Sequence, residues 1–153
     1  MTTDTDDQHA VQARDNYQEV LVPTDGSDAA QRAAERGIEI AAALEAAVHA
    51  FSVIEGAAAL KRDQLRVDAE GKAKDAVDRV AAEADRTGVD VTSTVRSGVP
   101  HEAILEYVEE ADIDMIVMGT HGRTGLDHVI IGSIAERIVR NASIPVLTVR
   151  PED

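Results

Sequence analysis

A glycine-rich segment from Gly119 to Ser133 has the residue types of an anion-binding site. Gly119 directly follows an apolar run, and Gly122 leaves its amide accessible because it carries no side chain. Gly132 and Ser133 precede a segment of helical period, and the free N–H groups and dipole of a helix start attract anions. The spacing therefore predicts a polyphosphate site in which Ser133 donates its hydroxyl. A flexible turn is the simpler alternative.

Arg123 is the one arginine or lysine in this segment. Its guanidinium suits a phosphate, although an exposed arginine shows the same pattern. His121 and His128 are seven residues apart, which is not the spacing of zinc ligands. His121 suits a phosphate or partner contact, with simple exposure to solvent as the alternative. Three further histidines are predicted to lie at the surface or at strand ends: His9, His49 and His101.

Asp25 is the second candidate, in the segment Pro23-Thr24-Asp25-Gly26-Ser27. A turn followed by a helix N-cap at Ser27 explains these residue types without any ligand. However, Asp25 ends an apolar run typical of a central strand, so its carboxylate is expected to face the crevice at the sheet edge. There it suits a ribose hydroxyl or a metal ion next to phosphate.

Five short apolar runs alternate with segments of helical period. The runs predicted as strands are Val20–Val22, Val48–Ile54, Val89–Val95, Ile113–Met118 and Val146–Val149. The predicted helices carry apolar faces over Ala30–Leu44, Ala69–Ala84, Ala103–Ala111 and a segment that begins near Ser133, with Pro100 in the first turn of the third. This alternation predicts an α/β fold, a single three-layer domain with a five-stranded parallel sheet and four helices.

Composition excludes several classes of function. The 153 residues include no cysteine, which excludes disulfides, Cys-ligated metals and thiol catalysis. Acidic residues outnumber basic ones by 29 to 15, giving a net charge of −14, so no nucleic-acid partner is expected. The excess of acidic residues fits either an ordinary acidic protein or a surface adapted to a salt-rich cytoplasm. The scarcity of lysine favours the second interpretation.

Targeting signals and several enzyme motifs are absent from the sequence. No apolar run approaches the roughly 18 residues of a membrane span, so we expect a soluble, cytoplasmic protein without a membrane partner. Residues 1–16 are predicted to form a disordered acidic tail, and residues 17–153 the domain. No Gly-x4-Gly-Lys-Ser/Thr, Gly-x-Gly-x-x-Gly or Gly-x-Ser-x-Gly motif occurs at the expected place, which disfavours P-loop ATPases, dinucleotide enzymes and serine hydrolases.

Taken together, these motifs resemble the universal stress protein family. They are the opening from Val20 to Ser27, Ser97-Gly98-x-Pro100, Asp114 to Gly122, Gly119-x2-Gly122-x9-Gly132-Ser133, and the ending Ile144 to Arg150. The resemblance covers about Tyr17 to Arg150 and matches the ATP-binding members at every glycine. It implies an adenine nucleotide alpha hydrolase-like fold with strand order 3-2-1-4-5.

The resemblance also implies which residues would bind ATP, with AMP or ADP as alternatives and Mg²⁺ as a companion ion. The triphosphate is assigned to Gly119, Gly122, Gly132 and Ser133, with Ile134 donating an amide. Asp25 would take the ribose or the metal, and Val53 would meet the adenine edge through its backbone. Pro23, Thr24 and Met118 would flank the same pocket.

A homodimer through the last strand is a further implication, carried by Val146, Leu147, Thr148 and Val149, which otherwise form an unprotected sheet edge. With no catalytic residue assigned, the sequence favours a nucleotide-dependent sensor or switch in stress response over a true enzyme. Two alternatives stay open: a dimeric interaction module that works without nucleotide, and a slow Mg-dependent ATPase. The downstream protein partner is not specified by the sequence.

Overall fold

Five parallel strands form one sheet in the computed structural model, which describes residues 16–56, 63–120 and 131–150. The strands are β1 (Glu19–Pro23), β2 (Ala47–Glu55), β3 (Val91–Gly98), β4 (Met115–Gly119) and β5 (Val146–Val149). They lie in the order β3-β2-β1-β4-β5. The predicted fold class and strand order are confirmed. Of the predicted acidic tail, all but Asn16 lies outside the described residues.

Helices cover both faces of this sheet. They are α1 (Asp28–Leu44), α2 (Asp63–Thr87), α3 (Pro100–Glu110) and α4 (Ser133–Asn141). Val20 and Val22 of β1 belong to a core shared with α1 and α2, whereas Leu21 belongs to a second core shared with α3 and α4. Successive strand residues point to opposite faces, so a continuous apolar run produces a strand buried on both sides. No helix among the described residues has the length and hydropathy to cross a membrane.

Three turns that lead from a helix to a strand share one geometry. Two predicted strand starts were wrong because their residues belong to these turns. Their first residues have positive φ: Glu45 (56°), Gly88 (79°) and Asp112 (52°). The next residue in each is buried and donates its N–H to the carbonyl five positions earlier: Ala46 to Ala41, Val89 to Ala84 and Ile113 to Val108. This is the hydrogen bond of a helix C-cap. Val89 and Ile113, which the sequence assigned to strands, therefore end helices.

His49 is buried in β2, and the prediction of a surface or strand-end residue was wrong for it. Its Nδ1 lies 2.7 Å from the hydroxyl of Tyr107, and its Nε2 lies 2.7 Å from Oε1 of Glu19. Both ring nitrogens thus have partners, which offsets the cost of burying a polar ring. A single histidine within an apolar run gave no sign of partners that are distant in sequence.

Gly37 allows α1 to pack closely against the sheet. A Cβ at this position would lie 2.8 Å from Cγ2 of Val22 and 3.4 Å from Cβ of Val117.

We expect Gly37→Ala to lower the free energy of unfolding by about 1 to 2 kcal/mol, because overpacking outweighs the gain in helix propensity. Gly71→Ala in α2 is the control, since a Cβ there meets nothing within 4 Å. It should stabilise the protein by about 0.5 to 1 kcal/mol. Urea unfolding of both variants checks the pair, and equal changes would contradict the packing argument.

Candidate functional site

A cleft of about 690 Å³ opens at the carboxyl edge of the sheet. It lies around β1, which is flanked by β2 and β4. The chain moves outward through β2 and β3 on one side and through β4 and β5 on the other. Such a reversal of strand order leaves the crevice in which parallel α/β sheets bind ligands. The ends of β1, β2 and β4 and the N-terminal parts of all four helices line it.

The turn after β1 is fixed by hydrogen bonds between neighbouring residues. Oδ1 of Asp25 accepts from the N–H of Ser27 at 2.9 Å. The hydroxyl of Ser27 accepts from the N–H of Ala30 at 3.2 Å, which makes Ser27 the N-cap of α1. Gly26 has a φ of 81°, which an L side chain rarely adopts. The predicted turn and N-cap are therefore confirmed, and the same half-buried Asp25 lines the cleft.

The start of α4 is anchored at the end of β4. The N–H of Gly132 donates to the carbonyl of Thr120 at 2.6 Å, and the N–H of Thr120 donates to the carbonyl of Val149 at 3.1 Å. Gly132 is the N-cap and has no side chain to accept from the first-turn N–H groups. These groups and the positive end of the helix dipole thus face the cleft, next to the exposed Ser133 and Ile134.

Most of the residues predicted to bind nucleotide come together at this cleft. Its lining includes Pro23, Thr24, Asp25, Val53, Met118, Gly119, Gly132, Ser133 and Ile134. Gly122 and Arg123, together with His121, lie outside the described residues. Within the described ranges, no group of three or more His, Asp or Glu side chains is placed to hold a metal ion. The metal at Asp25, like the ligand contacts of the other residues, stays a prediction.

One wall of the cleft, formed by α2 and α3, was not predicted from the sequence. It consists of Leu65, Asp68, Ala69, Lys72 and Ala73 from α2, and Pro100 and Ile104 from α3. The alanines of α2 predict a buried face of this helix. Toward the start of the helix the same face continues at helical spacing to Lys72 and Leu65, and this spacing is the signal from which the wall could be predicted.

The charged side chains around the cleft are unbalanced. Among the described residues that line it, Asp25, Glu55 and Asp68 carry carboxylates, and Lys72 carries the one ammonium group. The charged side chains of the described lining therefore carry a net negative charge. Within the described lining, positive potential for an anion is available from the start of α4 and from Lys72.

Comparison with known proteins identifies the family. The profile of the universal stress protein family matches residues 16–150. The chain belongs to the universal stress protein family. Universal stress protein MJ0531 of Methanocaldococcus jannaschii is 36% identical over 144 residues, which cover 88% of this chain and 82% of that protein. Universal stress protein MJ0577 of the same organism is 29% identical over 154 residues, covering 88% of this chain and 95% of that protein.

Solved structures of universal stress proteins have the same fold. Universal stress protein UspA from Lactobacillus plantarum superposes with a TM-score of 0.79 at 27% identity, covering 88% of this chain and 99% of that one. A universal stress protein in complex with cAMP superposes with a TM-score of 0.72, also at 27% identity, covering 88% of this chain and 97% of that one. A nucleotide complex is therefore known for a structural relative of this universal stress protein.

Proposed function

We propose that this universal stress protein binds ATP at the carboxyl edge of its sheet and acts as a nucleotide-dependent sensor or switch in stress response. The observation that carries the proposal is the meeting of two polar features in one cleft, the start of α4 and the carboxylate of Asp25. The first suits a phosphate, and the second suits a ribose hydroxyl or a metal ion. The relative in complex with cAMP supports an adenine nucleotide as the ligand class.

Each part of the nucleotide is assigned to a part of the cleft. The triphosphate would lie at the end of β4 and the start of α4, on Gly119, Gly132, Ser133 and the amide of Ile134, with Gly122 and Arg123 completing its surroundings. The ribose, or Mg²⁺ bound to the phosphates, would lie at Asp25. The adenine edge would meet the backbone of Val53 at the end of β2, with Pro23, Thr24 and Met118 flanking the pocket.

Titration calorimetry and thermal melting with ATP test the proposal. A ligand that binds only the native state stabilises it, by about 2.7 kcal/mol at a concentration 100 times its Kd. We therefore expect the melting temperature to rise with ATP concentration, and to rise less with GTP, because the adenine edge is read by backbone groups. The absence of both heat and melting shift would exclude nucleotide binding and favour an interaction module that works without nucleotide.

The exposed edge of β5 supports the proposed homodimer. β5 pairs with β4 on one side, and it is the last strand of the sheet. Leu147 in this strand has 42% of its surface exposed. We expect Leu147→Glu to weaken dimerisation about tenfold or more, because a symmetric interface brings two carboxylates together. Val95→Glu on β3, at the opposite edge, is the matched control. Sedimentation measures both variants, and an unchanged dimer in Leu147→Glu would exclude this edge as the interface.

The net charge of −14 predicts a dependence of stability on salt. We propose that the acidic surface is adapted to a salt-rich cytoplasm, where screening reduces repulsion between carboxylates. The melting temperature should then rise by several degrees between low salt and molar KCl. A melting temperature that stays constant or falls as KCl is added would contradict the salt-adapted interpretation.

A further inference from the structure

Lys72 lies on the face of α2 that borders the cleft. Arg79, seven residues later and thus on the same face, donates from its guanidinium to the carbonyl of Gly26 at 3.4 Å. This contact joins the same helix face to the turn that carries Asp25. Because α2 runs antiparallel to the strands, Lys72 lies roughly 10 Å further along the helix axis toward the carboxyl edge of the sheet. Lys72 thus borders the cleft whose lining also includes Asp25.

Lys72 forms no ion pair with the carboxylates that line the described part of the cleft. The spacing from Asp68 to Lys72 favours an ion pair on a helix. However, Oδ1 of Asp68 accepts from Nε2 of Gln64 at 2.9 Å. None of the ion pairs formed within residues 16–56, 63–120 and 131–150 includes Lys72. A lysine that borders a cleft with three carboxylates and has no partner among them is available to an anionic ligand.

We propose that Lys72 pairs with the phosphate charge of the bound nucleotide and makes the cleft select phosphorylated nucleotides over nucleosides. This inference rests on the proposed nucleotide binding and assigns its charge selectivity to α2. The lysine side chain is suited to this role because its ammonium is a compact charge on a flexible stem. It would supply positive charge opposite the start of α4, so that the phosphates are held from both sides.

Substitution of Lys72, with Lys74 as the matched control, tests the assignment. Lys74 lies on the same helix, but it is paired with Asp78 at 2.7 Å, and the Asp78 carboxylate raises its pKa. Lys72→Met should weaken ATP binding about tenfold, weaken AMP binding less, and change adenosine binding less than about twofold. Lys74→Met should leave all three affinities unchanged. Lys72→Arg keeps the charge and should retain most of the ATP affinity.

The outcomes separate this inference from the proposed function. If the unmodified protein binds ATP, and Lys72→Met and Lys74→Met have the same ATP affinity, the role of Lys72 is excluded while nucleotide binding stands. If Lys72→Met weakens ATP and adenosine equally, Lys72 does not read phosphate charge. If the unmodified protein binds none of the three ligands, the proposed function fails and the role of Lys72 with it. In support of the inference, the ATP-specific loss should shrink in molar KCl, where the Debye length falls to about 3 Å.

Discussion

Gly132→Val is expected to weaken ATP binding by at least about 100-fold while the protein stays folded. A branched side chain at the N-cap of α4 would cover the first-turn N–H groups that face the cleft. Each hydrogen bond between these groups and a charged phosphate is worth about 1.5 to 3 kcal/mol. The loss of two such bonds therefore raises the Kd for ATP by more than about 100-fold. Gly132 has φ −67° and ψ 159°, an extended conformation that valine adopts readily.

A control for this variant is available on the same helix. Asn141→Val places the same side chain at the exposed opposite end of α4 and should leave ATP affinity unchanged. Calorimetry gives the affinities, and melting curves without nucleotide show whether each variant is folded. A folded Gly132→Val protein that binds ATP as tightly as the unmodified protein would exclude the start of α4 as the phosphate site.

Asp25→Asn should give the second largest effect, a loss of ATP affinity between about 10-fold and 100-fold. A hydrogen bond to a charged group is worth about 1.5 to 3 kcal/mol, and the substitution removes the charge. Asparagine keeps an Oδ1 that accepts from the N–H of Ser27, so the turn before α1 is retained. Asp28→Asn is the control, because it makes the same change at an exposed position in the first turn of α1.

ATP affinities measured with Mg²⁺ and with EDTA distinguish the two roles proposed for Asp25. If Asp25 binds the ribose, the loss in Asp25→Asn is the same with Mg²⁺ and with EDTA. If Asp25 holds a metal ion beside the phosphates, the loss occurs with Mg²⁺ and disappears in EDTA. Calorimetry under both conditions distinguishes these cases. Equal ATP affinity of Asp25→Asn and the unmodified protein under both conditions would exclude Asp25 from the site.

The sheet could be predicted from the sequence because its strands are buried on both faces. Val20, Leu21 and Val22 are all fully buried, and such strands give uninterrupted apolar runs that stand out from amphipathic helices. The same rule misplaced Val89 and Ile113, because the buried residue of a helix C-cap is also apolar and directly precedes the strand. Composition alone does not separate a cap residue from a strand residue. The sheet order came from resemblance rather than from periodicity.

The candidate site could be predicted where it depends on local chain geometry. The turn at Asp25 and the helix start at Gly132 follow from residue types that are adjacent in sequence, and the parallel sheet brings both to one edge. The place of Lys72 in the cleft lining depends instead on how α2 packs against the sheet. Packing between elements also sets the partners of His49, and neither feature is encoded in a short motif.

Acid extraction of the purified protein shows whether the cleft carries a bound nucleotide. A nucleotide held between the start of α4 and the Asp25 turn should survive purification if it dissociates slowly. We expect ATP to be released at close to one molecule per subunit, and little nucleotide to be released from Gly132→Val purified in parallel. Equal amounts of nucleotide from both proteins, or none from the unmodified protein together with no melting shift on adding ATP, would contradict nucleotide binding at this cleft.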